Sequence, residues 1–146
     1  MQFINAIINN RTITVPMFAW FLAQLLKVIN VLVSSKKIDF TRFIGSGGMP
    51  SSHSAFIVSL TTVVAKIKGI DSVEFGISLA VSLIVMYDAA GVRRAAGKQA
   101  KVLNQLIHSH NDKVQFDEKL KELLGHSPFE VFMGALLGIL IGIWMG

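Results

Sequence analysis

The sequence predicts an all-α, polytopic membrane helical bundle of about four transmembrane helices, with short interfacial amphipathic helices beside them. Three observations carry this expectation. Charged residues make up only 16% of the chain and hydrophobic residues 52%, whereas a soluble domain carries about 25% charged residues. The mean hydropathy is +0.57. The apolar residues are gathered into four runs, too many for a chain of this length to bury as soluble core helices. The length of 146 residues fits a single domain over residues 1–146.

The first run extends from Ile13 to Val33. It holds Gln24, Lys27 and Asn30, spaced three apart and so aligned on one helical stripe. The N-terminus lacks the basic region and small-residue cleavage site of a signal peptide, so this run is expected to be retained. The second run starts at His53 and fades near Lys66. It is short for a span, which fits a less tilted helix or one that starts inside a protein-lined pocket. The third runs from Val73 to Ala90, with Asp88 near its end, and the fourth from Pro128 to Gly146.

The connections differ in character. Lys66 to Asp71 is a short link between runs two and three. Ser34 to Ser52 joins runs one and two and ends in Gly45-Ser46-Gly47-Gly48-Met49-Pro50-Ser51-Ser52. Gly91 to Ser127 is long and polar. Phe116, Leu120, Leu123 and Leu124 keep helical spacing there, so the segment reads as one or two amphipathic helices, with a turn at His108 to Asp112.

Four spans place the first and third connections on one face of the membrane. That face carries Lys36, Lys37, Arg42, Arg93, Arg94, Lys98, Lys101, Lys113, Lys119 and Lys121, while the other carries Arg11, Lys66 and Lys68. The positive-inside rule makes the richer face cytoplasmic, in a plasma (inner) membrane. The net charge of +5 then fits anionic lipid or a phosphorylated substrate. Nucleic acid is not an expected partner, because the basic residues alternate with apolar runs and form no patch on a soluble fold.

The same topology gathers the polar groups at that face. The Gly-rich run and His53 open the second span, Asp88, Arg93 and Arg94 close the third, and His126 and Glu130 open the fourth. Gly48, Ser51 and Ser52 have the makings of an anion cradle, with free helix N–H groups and positive dipole facing the anion; an ordinary capped turn is the plainer reading. His53 and His126 can act as nucleophile or general acid, or can be interfacial polar residues. Glu130 follows His126 by four residues and so shares its helical face. Arg93, Arg94 and Lys98 can bind phosphate oxygens or anionic headgroups. Lys27, an ionisable residue inside a span, is a functional candidate by default. Cysteine is absent, which excludes thiolate chemistry and Cys-ligated metal, and His108 and His110 have no carboxylate cluster beside them. Gly134, Gly138 and Gly142 recur every fourth residue, which could pack this helix on a neighbour or on a second copy in a homo-oligomer.

Met49-Pro50-Ser51-Ser52-His53 resembles the Pro-Ser-Gly-His motif of the type 2 phosphatidic acid phosphatase superfamily, which also holds the vanadium-dependent haloperoxidases. Gly125-His126-Ser127-Pro128-Phe129-Glu130 resembles its last motif, His-x-x-x-Asp. Together with Tyr87-Asp88-Ala89-Ala90-Gly91-Val92-Arg93-Arg94, the pattern is similar to a divergent branch of small membrane proteins, from about Gln24 to Gly138.

The resemblance implies a lipid phosphatase acting on a phosphomonoester or diphosphate, such as phosphatidylglycerol phosphate, phosphatidic acid or an isoprenoid phosphate. His126 would attack phosphorus and form a phosphohistidine, Glu130 would orient it, and His53 would protonate the leaving oxygen. Gly48, Ser51 and Ser52 would hold phosphate oxygens, with no metal and no cofactor. The superfamily's first motif, Lys with Arg-Pro, does not occur here, and Lys27 and Arg42 take its place. Ser52 stands for the motif glycine and Glu130 for its Asp. Leu120 occupies the position of the last-motif arginine, whose role passes to Arg93 or Arg94, with Asp88 as an orienting carboxylate. These departures leave a second reading open, a non-catalytic protein that binds phosphorylated headgroups or acts in assembly.

Overall fold

The computed structural model describes residues 1–35, 48–109, 120, 122 and 124–146. Arg42 and the stretch Gly45 to Gly47 lie outside the described residues; of the expected turn at His108 to Asp112, His108 and Ser109 are helical and the rest lies outside them. The described elements are helices: α1 (Gln2–Asn9), α2 (Arg11–Ser35), α3 (Ser52–Lys68), α4 (Val73–Ala90), α5 (Val92–Ser109) and α6 (Pro128–Met145). Three stretches are long and apolar enough to cross a membrane: Arg11–Val33 in α2, Val73–Ile107 across α4 and α5, and Pro128–Met145 in α6.

Local chemistry sets the helix ends. Asn10 closes α1 and accepts the Thr12 N–H through its side chain, so one residue ends one helix and caps the next. Ser51 caps α3, Ser72 caps α4 and Ser127 caps α6. At α6 the cap is reciprocal, with Glu130 accepting the Ser127 N–H and Ser127 Oγ accepting the Glu130 N–H. Pro128 at the first turn lacks an N–H where none is needed.

The short helix α3 lies at the centre and packs on α2, α4 and α6. Its buried residues are mostly small or polar, among them Ser52, Ser54, Ala55, Ser59 and Thr61. Thr61 Oγ1 lies 2.6 Å from Ser82 Oγ and donates to the Ser78 carbonyl, and Ser82 Oγ donates to the Ile57 carbonyl, which ties α3 to α4. The outer faces are apolar instead: Phe21 and Ile29 on α2, Ile77 and Ile84 on α4, and Phe132 and Ile143 on α6 are all exposed. Polar groups inside and large apolar side chains outside reverse the pattern of a water-soluble bundle.

The glycine stripe of α6 packs within the chain. A Cβ on Gly134 would collide with the Ser51 carbonyl, one on Gly138 would lie 2.7 Å from the Ala55 carbonyl, and one on Gly142 would lie 2.6 Å from Thr62 Cβ. The small residues let two helix backbones approach closely. Of the two roles the sequence leaves for this stripe, α3 of the same chain fills the first.

The long segment after α4 bears out the expected amphipathic helix in α5, which buries Gly97, Ala100 and Asn104 on one face. The helical spacing around Leu120 does not produce a helix at the described positions, since Leu120, Glu122 and Leu124 are non-helical. Asn104 accounts for the difference. Its amide donates to the Leu120 carbonyl at 2.8 Å and accepts the Leu120 N–H at 3.0 Å. The backbone groups of Leu120 are thereby satisfied without helical partners.

At the opposite end of the bundle, Lys66 Nζ donates to the Ile143 and Gly146 carbonyls and Arg11 donates to Gly146. These cations satisfy the last carbonyls of α6 and suit its negative dipole end.

Gly138→Leu should destabilise the detergent-solubilised protein by about 1–3 kcal/mol through overpacking, read as a lowered Tm. Gly76→Ala, where an added Cβ meets nothing within 4 Å, should not lower it. Identical melting of Gly138→Leu and the parent chain would rule out this close α3–α6 contact.

Candidate active site

The chain direction brings five helix ends together: the C-terminal half of α2, the start of α3, the end of α4, and the starts of α5 and α6. His126 stands just before α6 and is 2% exposed. Its N–H donates to the Ala89 carbonyl at 2.8 Å, which pins it to the last turn of α4. Gly125, at φ +81°, makes this possible. A side chain there would run into the backbone of Arg93 and Arg94. The glycine therefore lets the chain press against the first turn of α5 in a conformation that other residues rarely adopt.

The His126 ring is held on one side only. Nδ1 lies 3.3 Å from Glu130 Oε2, while Nε2 is buried and has no hydrogen-bond partner. Glu130 Oε2 also accepts the Ser127 N–H at 2.8 Å, so the helix cap fixes the carboxylate that fixes the ring. A carboxylate on Nδ1 favours the tautomer with its proton there and leaves Nε2 with a free lone pair. Burial first, and then the Lys27 ammonium, push the His126 imidazole below the ordinary histidine value of 6.5; Glu130 opposes both. The first two effects favour the neutral ring.

His53, in the first turn of α3, presents the second ring. The two imidazole centroids are 6.1 Å apart with planes at 63°. That separation places both rings within reach of a single phosphoryl group, since reacting atoms meet at about 3–3.5 Å. Lys27 is 2% exposed and donates from Nζ to Ser52 Oγ at 3.1 Å. Its aliphatic stem passes Gly48, where a Cβ would stand 3.9 Å from Lys27 Cγ and Cδ. The Lys27 charge acts on both histidines.

Ser51 joins the two motifs. Its N–H donates to the Glu130 carbonyl at 3.0 Å, and its Oγ lies 3.1 Å from Ser54 Oγ. Arg93 Nε donates to Asp88 Oδ2 at 2.6 Å, and both charges are near enough to act on His53. Arg94 and Lys98 are exposed along α5. The structure thus brings together His126, Glu130, His53, Lys27, Ser51, Ser52, Asp88 and Arg93. Gly48 borders the group, Arg94 and Lys98 extend from it, and Arg42 lies outside the described residues.

Four further residues shape the site without bearing a motif's chemistry. Asn30 donates to the Met49 carbonyl at 2.9 Å and so steadies the loop before α3. Ser54 and Ala89 anchor the two histidine segments, as described above, and Asn104 holds Leu120 and Glu122, upstream of His126. The stripe shared by Asn30 with Lys27 was a legible signal in sequence; a backbone carbonyl such as that of Ala89 gives none.

Fold and site define a small helical bundle with apolar outer faces and a buried histidine–carboxylate pair at one end, facing a second histidine. The chain belongs to the divergent PAP2 family, whose pattern matches residues 8–141. It is 42% identical over 147 residues to the uncharacterized membrane protein YuiD of Bacillus subtilis (strain 168), covering 92% of this chain and 93% of that one. No solved structure matches it.

In NMR of the ¹⁵N-histidine protein, His126 should titrate below 6.5 and carry its proton on Nδ1 at pH 7. Glu130→Gln, which keeps an acceptor for the Ser127 cap but removes the charge, should shift the titration further down. An upward shift would contradict the assigned role of the Glu130 carboxylate.

Proposed function

We propose that this protein is a membrane-embedded, metal-independent lipid phosphatase that works through a phosphohistidine at His126. One observation carries the reading: a buried imidazole, oriented by Glu130 through Nδ1, keeps Nε2 unpartnered, and its ring centroid stands 6.1 Å from that of His53. Family membership supports it, because the wider phosphatase superfamily that the motifs resemble uses such a pair.

The reaction runs in two displacements. Nε2 of His126 attacks phosphorus, the N–P bond forms and the P–O bond to the lipid breaks. A protonated His53 gives its proton to the departing oxygen, releasing the lipid alcohol. His53, now neutral, takes a proton from water as that water attacks phosphorus; the N–P bond breaks and phosphate leaves. Lys27 and Arg93 offset the negative charge on the phosphoryl oxygens, and the N–H groups at the start of α3 add donors. Asp88 holds the Arg93 guanidinium in place. A diphosphate would react in the same way at its terminal phosphorus.

In this reading α2, α3, α4 and α6 are four spans. At 17 residues, α3 is about 26 Å long, shorter than a hydrocarbon core of about 30 Å. α4 and α6, at 18 residues each, are nearly the same length, while α2, at 25 residues, is longer. The excess of Lys and Arg on the site's face puts that face in the cytoplasm of the plasma (inner) membrane. Substrates made on that side, phosphatidic acid or phosphatidylglycerol phosphate, suit the site.

The test is phosphate release from a panel of lipid phosphates in the presence of chelator. Chelator should leave the rate unchanged. His126→Ala should lose about a thousandfold or more, as loss of a nucleophile does, and His53→Ala about a hundred- to ten-thousandfold. His53→Ala given a labelled phosphate ester with an acidic leaving group, which departs without a proton, should accumulate label on His126, because hydrolysis still lacks its base. Activity that survives both substitutions rejects the mechanism. A folded protein that binds the lipids but hydrolyses none of them would favour the headgroup-binding alternative.

A further inference from the structure

An apolar groove of about 210 Å³ runs between α2 and α6. One end is Asn30, Met49 and Pro50, so the groove begins at the loop that leads into the anion cradle. Its walls follow the site residues in sequence. Leu26 adjoins Lys27 on α2, and Met133 lies one turn beyond Glu130 on α6. Leu136 and Leu140 carry the wall two further turns along α6. From Met133 to Leu140 the groove extends about 10 Å along the helix axis. Leu136 and Leu140 are 40% and 58% exposed, so the wall reaches the outer face of the bundle.

From this geometry we infer that the groove holds the first part of one hydrocarbon tail of the lipid whose phosphate lies at His126 and His53. The inference rests on the phosphatase reading and adds to it a definite path for the lipid. Three features select this occupant. At about 210 Å³ the groove is smaller than the roughly 300–1,000 Å³ of a drug-sized pocket, room for part of one hydrocarbon chain. The lining is almost wholly apolar, with Asn30 as its single polar side chain, and Asn30 is committed to the Met49 carbonyl. The polar end is bounded by Met49 and Pro50, which directly precede Ser51 and Ser52, and Ser52 Oγ accepts from the buried Lys27 ammonium, which suits an anionic head. An anion above and a hydrocarbon below describe a lipid phosphate entering from the bilayer between α2 and α6. Buried tail contributes about 0.8 kcal/mol per methylene, so affinity should climb with chain length until the groove is full.

The experiment uses the full chain in nanodiscs. A decyl phosphate bearing a diazirine at the end of its tail is photolysed with the protein, and the labelled peptides are mapped. We expect labels on the 26–30 and 133–140 peptides, displaced by excess inorganic phosphate. In a second arm, butyl and decyl phosphate compete for the probe. Decyl phosphate should bind at least tenfold better than butyl, and Leu136→Trp should erase that ratio while Ile84→Trp, on the exposed face of α4, should keep it. Displaceable label elsewhere on the protein overturns the tail path alone and leaves the phosphatase reading standing. Label in the groove that phosphate does not displace overturns the link between groove and site. If no label is displaced by phosphate, the phosphate site fails and the tail path fails with it. An unchanged ratio in Leu136→Trp also overturns the inference.

Discussion

The close approach of α3 and α6 is the constraint on which the rest of the molecule depends. Gly134 and Gly138 give up side chains so that the α6 backbone can lie against Ser51, Ala55 and Ser59. At the site end of that contact, the Ser51 N–H reaches the Glu130 carbonyl. One short hydrogen-bonded seam therefore sets the distance between the cradle motif and the histidine–carboxylate motif. Between lipid-bathed helices there is little hydrophobic drive for association, so tight van der Waals contact and buried hydroxyl bonds carry the packing. The Thr61–Ser82 pair performs the same service between α3 and α4.

A second constraint comes from buried charge. Lys27 is buried and Glu130 partly so, and each is spent on a neighbour: the ammonium on Ser52, the carboxylate on a helix cap and an imidazole. Burial penalises unpaired charge heavily, and among the described residues two buried acceptors are left unpaired, Gln24 Oε1 and His126 Nε2. Unsatisfied buried polar atoms are costly in a folded protein. The same economy is visible in Arg93, whose exposed guanidinium is aimed by Asp88.

Much of the helical architecture was legible in the sequence. The expected runs at Ile13 to Val33, Val73 to Ala90 and Pro128 to Gly146 fall on α2, α4 and α6, because uninterrupted apolar stretches leave few alternatives to a helix. The shortness of the second run anticipated the central helix α3. The spacing around Leu120 misled, because the period of four is a local signal and the side chain of Asn104, sixteen residues earlier, takes the backbone groups a helix would have used. The glycine stripe announced a close helix contact but not its partner.

By itself, the sequence determined the all-α class of fold and three apolar runs long enough to cross a membrane, and it offered the chemically capable residues, since each follows from composition and spacing along the chain. Tertiary structure alone decided which of those residues meet. It set His126 against Ala89, gave Asp88 to Arg93 and Lys27 to Ser52, and opened an apolar groove below Met49 and Pro50. Those outcomes depend on contacts between residues far apart in the chain, where a backbone carbonyl or a missing Cβ counts as much as any motif. No local pattern records them.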